Sequence, residues 1–167
     1  MTRPSSPNPR QLAADARKQL KAAAKQWPPK RATTFFKPDE AVYSVGITTP
    51  RLRQLERRVY GAARGAWGYG EAAQFADLLL RERYLEARSL GLMLLSRFHA
   101  DFPPELLERA HTWLAANRCD NWALTDLLST KVLAPLLQRS PALAERLKEW
   151  AGARNLWVRR AALVALV

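Results

Sequence analysis

From Gln11 onward the apolar residues of this chain return every three or four positions, in runs of about 12 to 16 residues broken by Gly, Pro or polar clusters, which is the period of amphipathic helices. The clearest run is RYLEARSLGLMLLSRF, where Tyr84, Ala87, Gly91, Leu94, Leu95 and Phe98 fall on one face and predict a buried side. RLRQLERRVYGAA, EAAQFADLLLRE and PPELLERAHTWLAA read the same way, and helices over 121–134, 141–151 and 154–167 continue the series. A first, Ala-rich helix is expected from about Arg10 to Lys25, ended by Trp27-Pro28-Pro29. FFKPDEAVYSVGITTP has no period and reads as an irregular connection that delivers Thr49 as N-cap and Pro50 as the first residue of the next helix.

Short breaks between amphipathic helices make consecutive helices antiparallel neighbours, so the fold class is all-α, an α-solenoid of antiparallel helix pairs, with a compact bundle as the alternative. Residues 1–9, with three prolines and two serines, are expected to be a disordered tail, followed by a single helical-repeat domain over 10–167.

Charge changes this picture. The chain carries a formal +12, and residues 1–64 hold 14 Lys/Arg against four Asp/Glu, a net +10. Such a local excess favours a polyanionic partner, because each neutralised phosphate releases counterions. The first helix contributes Arg17, Lys18, Lys21 and Lys25 as candidate nucleic-acid contacts. One cysteine and two histidines exclude a disulfide framework and the usual structural zinc spacings, so no metal is expected, and no cofactor motif is present. No apolar run is long enough for a membrane helix and the N-terminus has no secretory h-region, so no membrane association is expected and the location should be cytoplasmic, at the nucleoid if the source is bacterial.

Candidate chemistry lies in CDNWALTDLLST. At about 100° per residue, with Trp122 at zero, Leu124, Leu127 and Leu128 fall near 200°, 140° and 240° and form the packing face, while Asp126 falls near 40°, beside Trp122. Ser129 and Leu133 share that second stripe. In NLWVRRAAL, Trp157 reads as a core anchor, whereas Arg160, three residues on, is placed to approach the Asp126 face.

Three stretches, FFKPDEAVYSVGITTPRLRQL, DNWALTDLL and NLWVRRAAL, with RERYLEARSLGLMLL between the first two, resemble the AlkD-like DNA alkylation repair glycosylases, a family built from HEAT-like helical repeats. The likeness covers about residues 33–167 and rests on the order of the motifs, since W-x-x-x-D and W-x-x-R are each unspecific. It implies a basic surface that grips duplex DNA containing alkylated bases and a glycosylase, acting in base excision repair, that hydrolyses the N-glycosidic bond of cationic N3- or N7-alkylpurines. By position, Asp126 would be the catalytic carboxylate, Trp122 the aromatic at the lesion, and Arg160, with Arg159, the DNA-backbone arginines. The family has a further aromatic on a helix beyond W-x-x-R, whereas this sequence ends at Val167, so the domain is expected to be short at its C-terminus, with Leu163, Val164 and Leu166 exposed. A full-length chain would be a monomer. Two other classes fit the same residues: a non-catalytic DNA-binding helical-repeat protein, and a protein-interaction solenoid in which Trp122 and Asp126 are an interface pair.

Overall fold

The computed structural model describes residues 6–37 and 40–167. The fold is all-α, helix paired on helix, and it divides into two compact units, one ending at Phe98 and the other running from His99 to Val167, where sequence alone offers a single helical-repeat domain over 10–167.

The first unit contains α1 (Pro9–Ala23), α2 (Thr49–Ala63), α3 (Tyr69–Leu79) and α4 (Leu85–Ser96). Asn8 starts α1, its side chain accepting from the Arg10 N–H, and Pro9 occupies the first helical position, where its missing donor has no cost. Of the expected tail, residues 1–5 lie outside the described residues. Ser6 donates to the Ala66 carbonyl, and the Pro7 carbonyl accepts from the Trp67 indole N–H at 2.7 Å. Ala13, Ala16 and Leu20 form the buried stripe of α1. The helix stops at Ala23, two residues earlier than its composition suggests, and the Lys25 and Gln26 N–H groups turn to the Val45 carbonyl.

The connection to α2 is less irregular than its sequence. β1 (Lys30–Arg31) pairs antiparallel with β2 (Tyr43–Ser44). Its anchor is Glu86 in the first turn of α4, a buried carboxylate that accepts from the Ser44 hydroxyl and from the N–H groups of Val45, Gly46 and Ile47. Gly46 sits at φ +75°, which lets three consecutive N–H groups turn toward one carboxylate. The cap of α2 is Thr48, without a side-chain bond, so Thr49 and Pro50 are its first two residues, one position earlier than the sequence reading.

All six residues expected on the buried face of RYLEARSLGLMLLSRF are buried, and Glu86, Arg88, Leu90 and Leu92 join them, so α4 is covered nearly all round. It packs closely on α3: a Cβ at Gly91 would stand 3.3 Å from the Ala76 Cα.

The second unit contains α5 (Leu106–Ala115), α6 (Trp122–Leu128), α7 (Ala134–Arg139), α8 (Ala144–Ala151) and α9 (Leu156–Val164). Its core includes Leu106, Trp113, Leu124, Leu128, Val132, Leu136, Trp150, Val158 and Ala161. The helix expected over 121–134 continues to Arg139, because a π-helical turn, Ser129–Leu133, joins α6 to α7 and closes with the Ala134 N–H on the Ser129 carbonyl. The wider turn accommodates Pro135, which lacks a donor and would crowd the carbonyl four residues back in a regular helix. Leu163 and Leu166 are exposed, as expected, and Val164 is half-buried. Among the described residues no helix is long and apolar enough to cross a membrane.

Two outcomes test the first unit. Glu86→Ala leaves a buried nest of N–H donors unmatched and should lower unfolding stability by on the order of 3 kcal/mol in urea titrations. Burial, reinforced by the Glu82 carboxylate, pushes the Tyr84 hydroxyl up to about 12 from 10.0. Because the fold prefers the neutral phenol, this stability is fully present below pH 10 and falls as pH rises toward 12. Tyr84→Phe should therefore lose less stability than wild type between those pH values, by on the order of 2 kcal/mol.

Candidate functional site

Trp122 and Asp126 are placed by the start of α6. The Asn121 side chain is buried and accepts the Leu124 N–H at 3.0 Å, which makes Trp122 the first helical residue. From that start Leu124, Thr125 and Leu128 turn into the core, while Trp122 and Asp126 emerge on its flank, Trp122 39% exposed and the Asp126 side chain 31%.

The packing face is thus rotated from the one expected. Leu127 is only half-buried, and Thr125 takes its place. A buried hydroxyl needs a partner, and Thr125 donates to the Cys119 carbonyl at 2.9 Å. Ser129 and Leu133, expected beside Trp122 and Asp126, are also buried. Ser129 donates to the Thr125 carbonyl at 2.7 Å, and the π-turn carries Leu133 inward by changing the angular step.

Arg160 comes from α9, which packs against α6. Asn155 caps α9 by accepting from the Trp157 and Val158 N–H groups, and its amide donates to the Leu114 carbonyl and to Asn117 Oδ1 at the end of α5. Val158, Ala161 and Ala162 face the core, which brings Arg160 onto Asp126. The contact is bidentate, Nε to Oδ1 and Nη2 to Oδ2, both 2.7 Å. Hydrogen bonding to the carboxylate outweighs partial burial and holds the guanidinium above its ordinary range, so Arg160 stays charged at any working pH. The pairing leaves one lone pair on each carboxylate oxygen and the Nη1 edge of the guanidinium for another partner.

The other sequence candidates separate into two groups. Arg159 donates through Nη1 to the Ala153 and Arg154 carbonyls, both at 2.7 Å, closing the turn between α8 and α9. Arg17 reaches Glu82 and the Leu78 carbonyl of its own unit. Lys18, Lys21 and Lys25 are exposed, Lys18 3.9 Å from Asp15 and Lys21 over the Trp27 ring. Trp157 is half-buried, so it is not the core anchor expected; Trp113 and Trp150 fill that role. The caps Asn121 and Asn155 are missed by side-chain reasoning about the site. Their signal was present as Asn immediately before each apolar-periodic run.

If Asn155 sets the start of α9, Asn155→Ala should cost about 1 to 2 kcal/mol in thermal or urea unfolding and loosen the Arg160 contact with Asp126. The loosening is checked by proton–nitrogen correlation spectra, in which the Arg160 Nε–H signal should move toward that of a solvated arginine.

A family model described as DNA alkylation repair enzyme matches residues 16–167. No curated protein and no solved structure matches the chain. The family match spans both units, including all of α6 and α9 with the paired Asp126 and Arg160, and the chain belongs to the DNA alkylation repair enzyme family.

Proposed function

We propose that the protein is a DNA glycosylase that removes cationic N3- or N7-alkylated purines from duplex DNA by hydrolysing the N-glycosidic bond. The observation that carries this reading is a partly exposed carboxylate, Asp126, one helical turn from an exposed indole and clamped through both oxygens by Arg160. Alkylation has already made the purine a cation, so the C1′–N bond breaks with its electron pair going to the base, which departs neutral without a proton donor. Positive charge then grows on the deoxyribose. A fixed carboxylate facing that charge stabilises it, and the lone pairs left by Arg160 orient the water whose oxygen bonds to C1′ and whose proton passes to solvent. One carboxylate is enough, in contrast to glycoside hydrolysis with a poor leaving group.

Trp122 offers an aromatic face to the cationic lesion. The guanidinium edge that Asp126 does not use suits a phosphate oxygen, so Arg160 would link the lesion's backbone to the carboxylate. Lys18 and Lys21 on α1 and Lys25 just beyond its end face solvent and supply sequence-independent attraction to duplex DNA. Arg17 and Arg159, held by their own units, act in this reading by shaping the surface around them.

Base release from methylated duplex DNA, measured in single turnovers, is the test. Asp126→Asn should slow release about 100- to 1,000-fold while binding undamaged DNA nearly as well as wild type. Its fold should survive, because a partly exposed ion pair contributes about 1 kcal/mol or less. Trp122→Ala should be milder, about 2- to 30-fold, and Arg160→Ala should weaken both binding and release. Equal release by wild type and Asp126→Asn would remove the carboxylate from the mechanism. No release by either, with DNA binding intact, would identify a non-catalytic DNA-binding protein.

A further inference from the structure

The sequence reading puts the basic excess to work on α1, yet α2 of the same unit carries four exposed guanidinium groups of its own. Arg51, Arg53, Arg57 and Arg58 are all exposed, and none forms an ion pair with the described residues. Four carboxylates of this unit are engaged elsewhere: Glu56 on Arg97, Glu82 on Arg17, Glu86 on the β2 segment, Glu71 on the Gly68 N–H. The four arginines are not equivalent. The buried stripe of α2 is Leu52, Leu55, Glu56, Val59 and Ala63. Taking Arg51 as zero and about 100° per residue, Gln54 and Arg58 lie near 300° and 340° on one flank of that stripe, whereas Arg53 and Arg57 lie near 200° and 240° on the other.

The first flank opens on a groove between α1 and α2 of about 410 Å³, lined by Gln19, Ala22, Ile47, Arg51, Gln54 and Arg58. Among the described residues no carboxylate lines it. Two small residues of α1, Ala22 and Ala23, leave the space, and the polar groups around it are guanidinium and amide donors. Arg51 and Arg58 are seven residues apart, roughly 10 Å along the helix axis, so they reach separate anionic groups. A single phosphate would not need that separation, but a run of phosphates would.

We infer that the groove between α1 and α2 binds the phosphodiester backbone of one DNA strand, with Arg51 and Arg58 on different phosphates and Gln19 and Gln54 donating to phosphate or sugar oxygens. This rests on DNA being the substrate, the reading proposed above, and adds a register-setting contact that carries no base information.

Arg53 and Arg57 provide a charge-matched control on the opposite flank of the same helix. Affinity for undamaged duplex DNA would be measured between about 50 and 200 mM salt for wild type, Arg51→Gln/Arg58→Gln and Arg53→Gln/Arg57→Gln. The first pair should flatten the log-log salt slope by about 1.8 units, and the second should leave it within about half a unit of wild type. Equal slopes for the two pairs, or an unchanged slope for the first, would overturn the assignment. All four residues are exposed, and thermal melts confirm that both variants fold. Replacing chloride by inorganic phosphate at matched ionic strength should weaken all three proteins alike. Selective competition in the proteins that keep Arg51 and Arg58 would instead identify a site for free phosphate and overturn the DNA contact. Base release separates this from the proposed activity: a groove-dependent salt slope without release would uphold the groove and reject the glycosylase, and release with an unchanged slope would do the reverse.

Discussion

The phase of a helix is decided at its first turn, where N–H groups lack intrahelical partners and whatever satisfies them fixes which residue comes first. In the second unit that constraint is met by two asparagines. Asn121 accepts from Leu124 and Asn155 accepts from Trp157 and Val158, and each choice propagates along its helix at the helical step. Four residues into α6 this puts Asp126 on the flank of the core, and five residues past Asn155 it puts Arg160 opposite. Moving either start by one residue would turn its charged side chain by about 100°, away from its partner. The bidentate geometry therefore depends on the two caps as much as on the charges.

The two units solve the problem of buried polarity differently. In the first, carboxylates are drawn inward and each is matched to several donors or to a guanidinium: Glu86 to the β2 segment, Glu56 to Arg97, which also lies over the Tyr60 ring. These contacts join segments about 40 residues apart, and those of Glu86 hold a connection that has too little apolar pattern to fold by itself. In the second unit the buried polar groups are the Thr125 and Ser129 hydroxyls, which donate to nearby carbonyls, and the Asn121 amide, which accepts a backbone N–H, and the Asp126 carboxylate remains near solvent. A group meant to meet a developing cation has to stay reachable, and a carboxylate with four protein donors would have no lone pairs left to offer.

Much of this fold was legible from spacing. The buried faces of α1 and α4 follow the apolar period directly, since Leu, Ala and Phe need only removal from water. Thr125 and Ser129 defeated the same reading because a hydroxyl that bonds to a carbonyl of its own chain can be buried like an alanine, and the sequence does not show which hydroxyls do so. Arg17 looked like a surface cation because its partner, Glu82, is 65 residues away. Asp126 and Arg160 stood out through the order of whole motifs and not through their own spacing, which is common on helix surfaces. The basic excess of the N-terminal 64 residues was plain from composition, but its division between the flanks of α2 required the buried stripe to be known.

The π-turn between α6 and α7 has a consequence for chain length. Closing a ring from Ser129 to Ala134 takes in one residue more than a regular turn, so the segment stores an extra residue without disturbing either flanking helix. A chain one residue shorter between Ser129 and Leu133 could run straight from Asp126 to Leu137 with both buried faces still in phase, provided Pro135 gave way to a residue with an N–H. The site-bearing helix can thus vary in length downstream of its carboxylate while Asp126 itself stays in place.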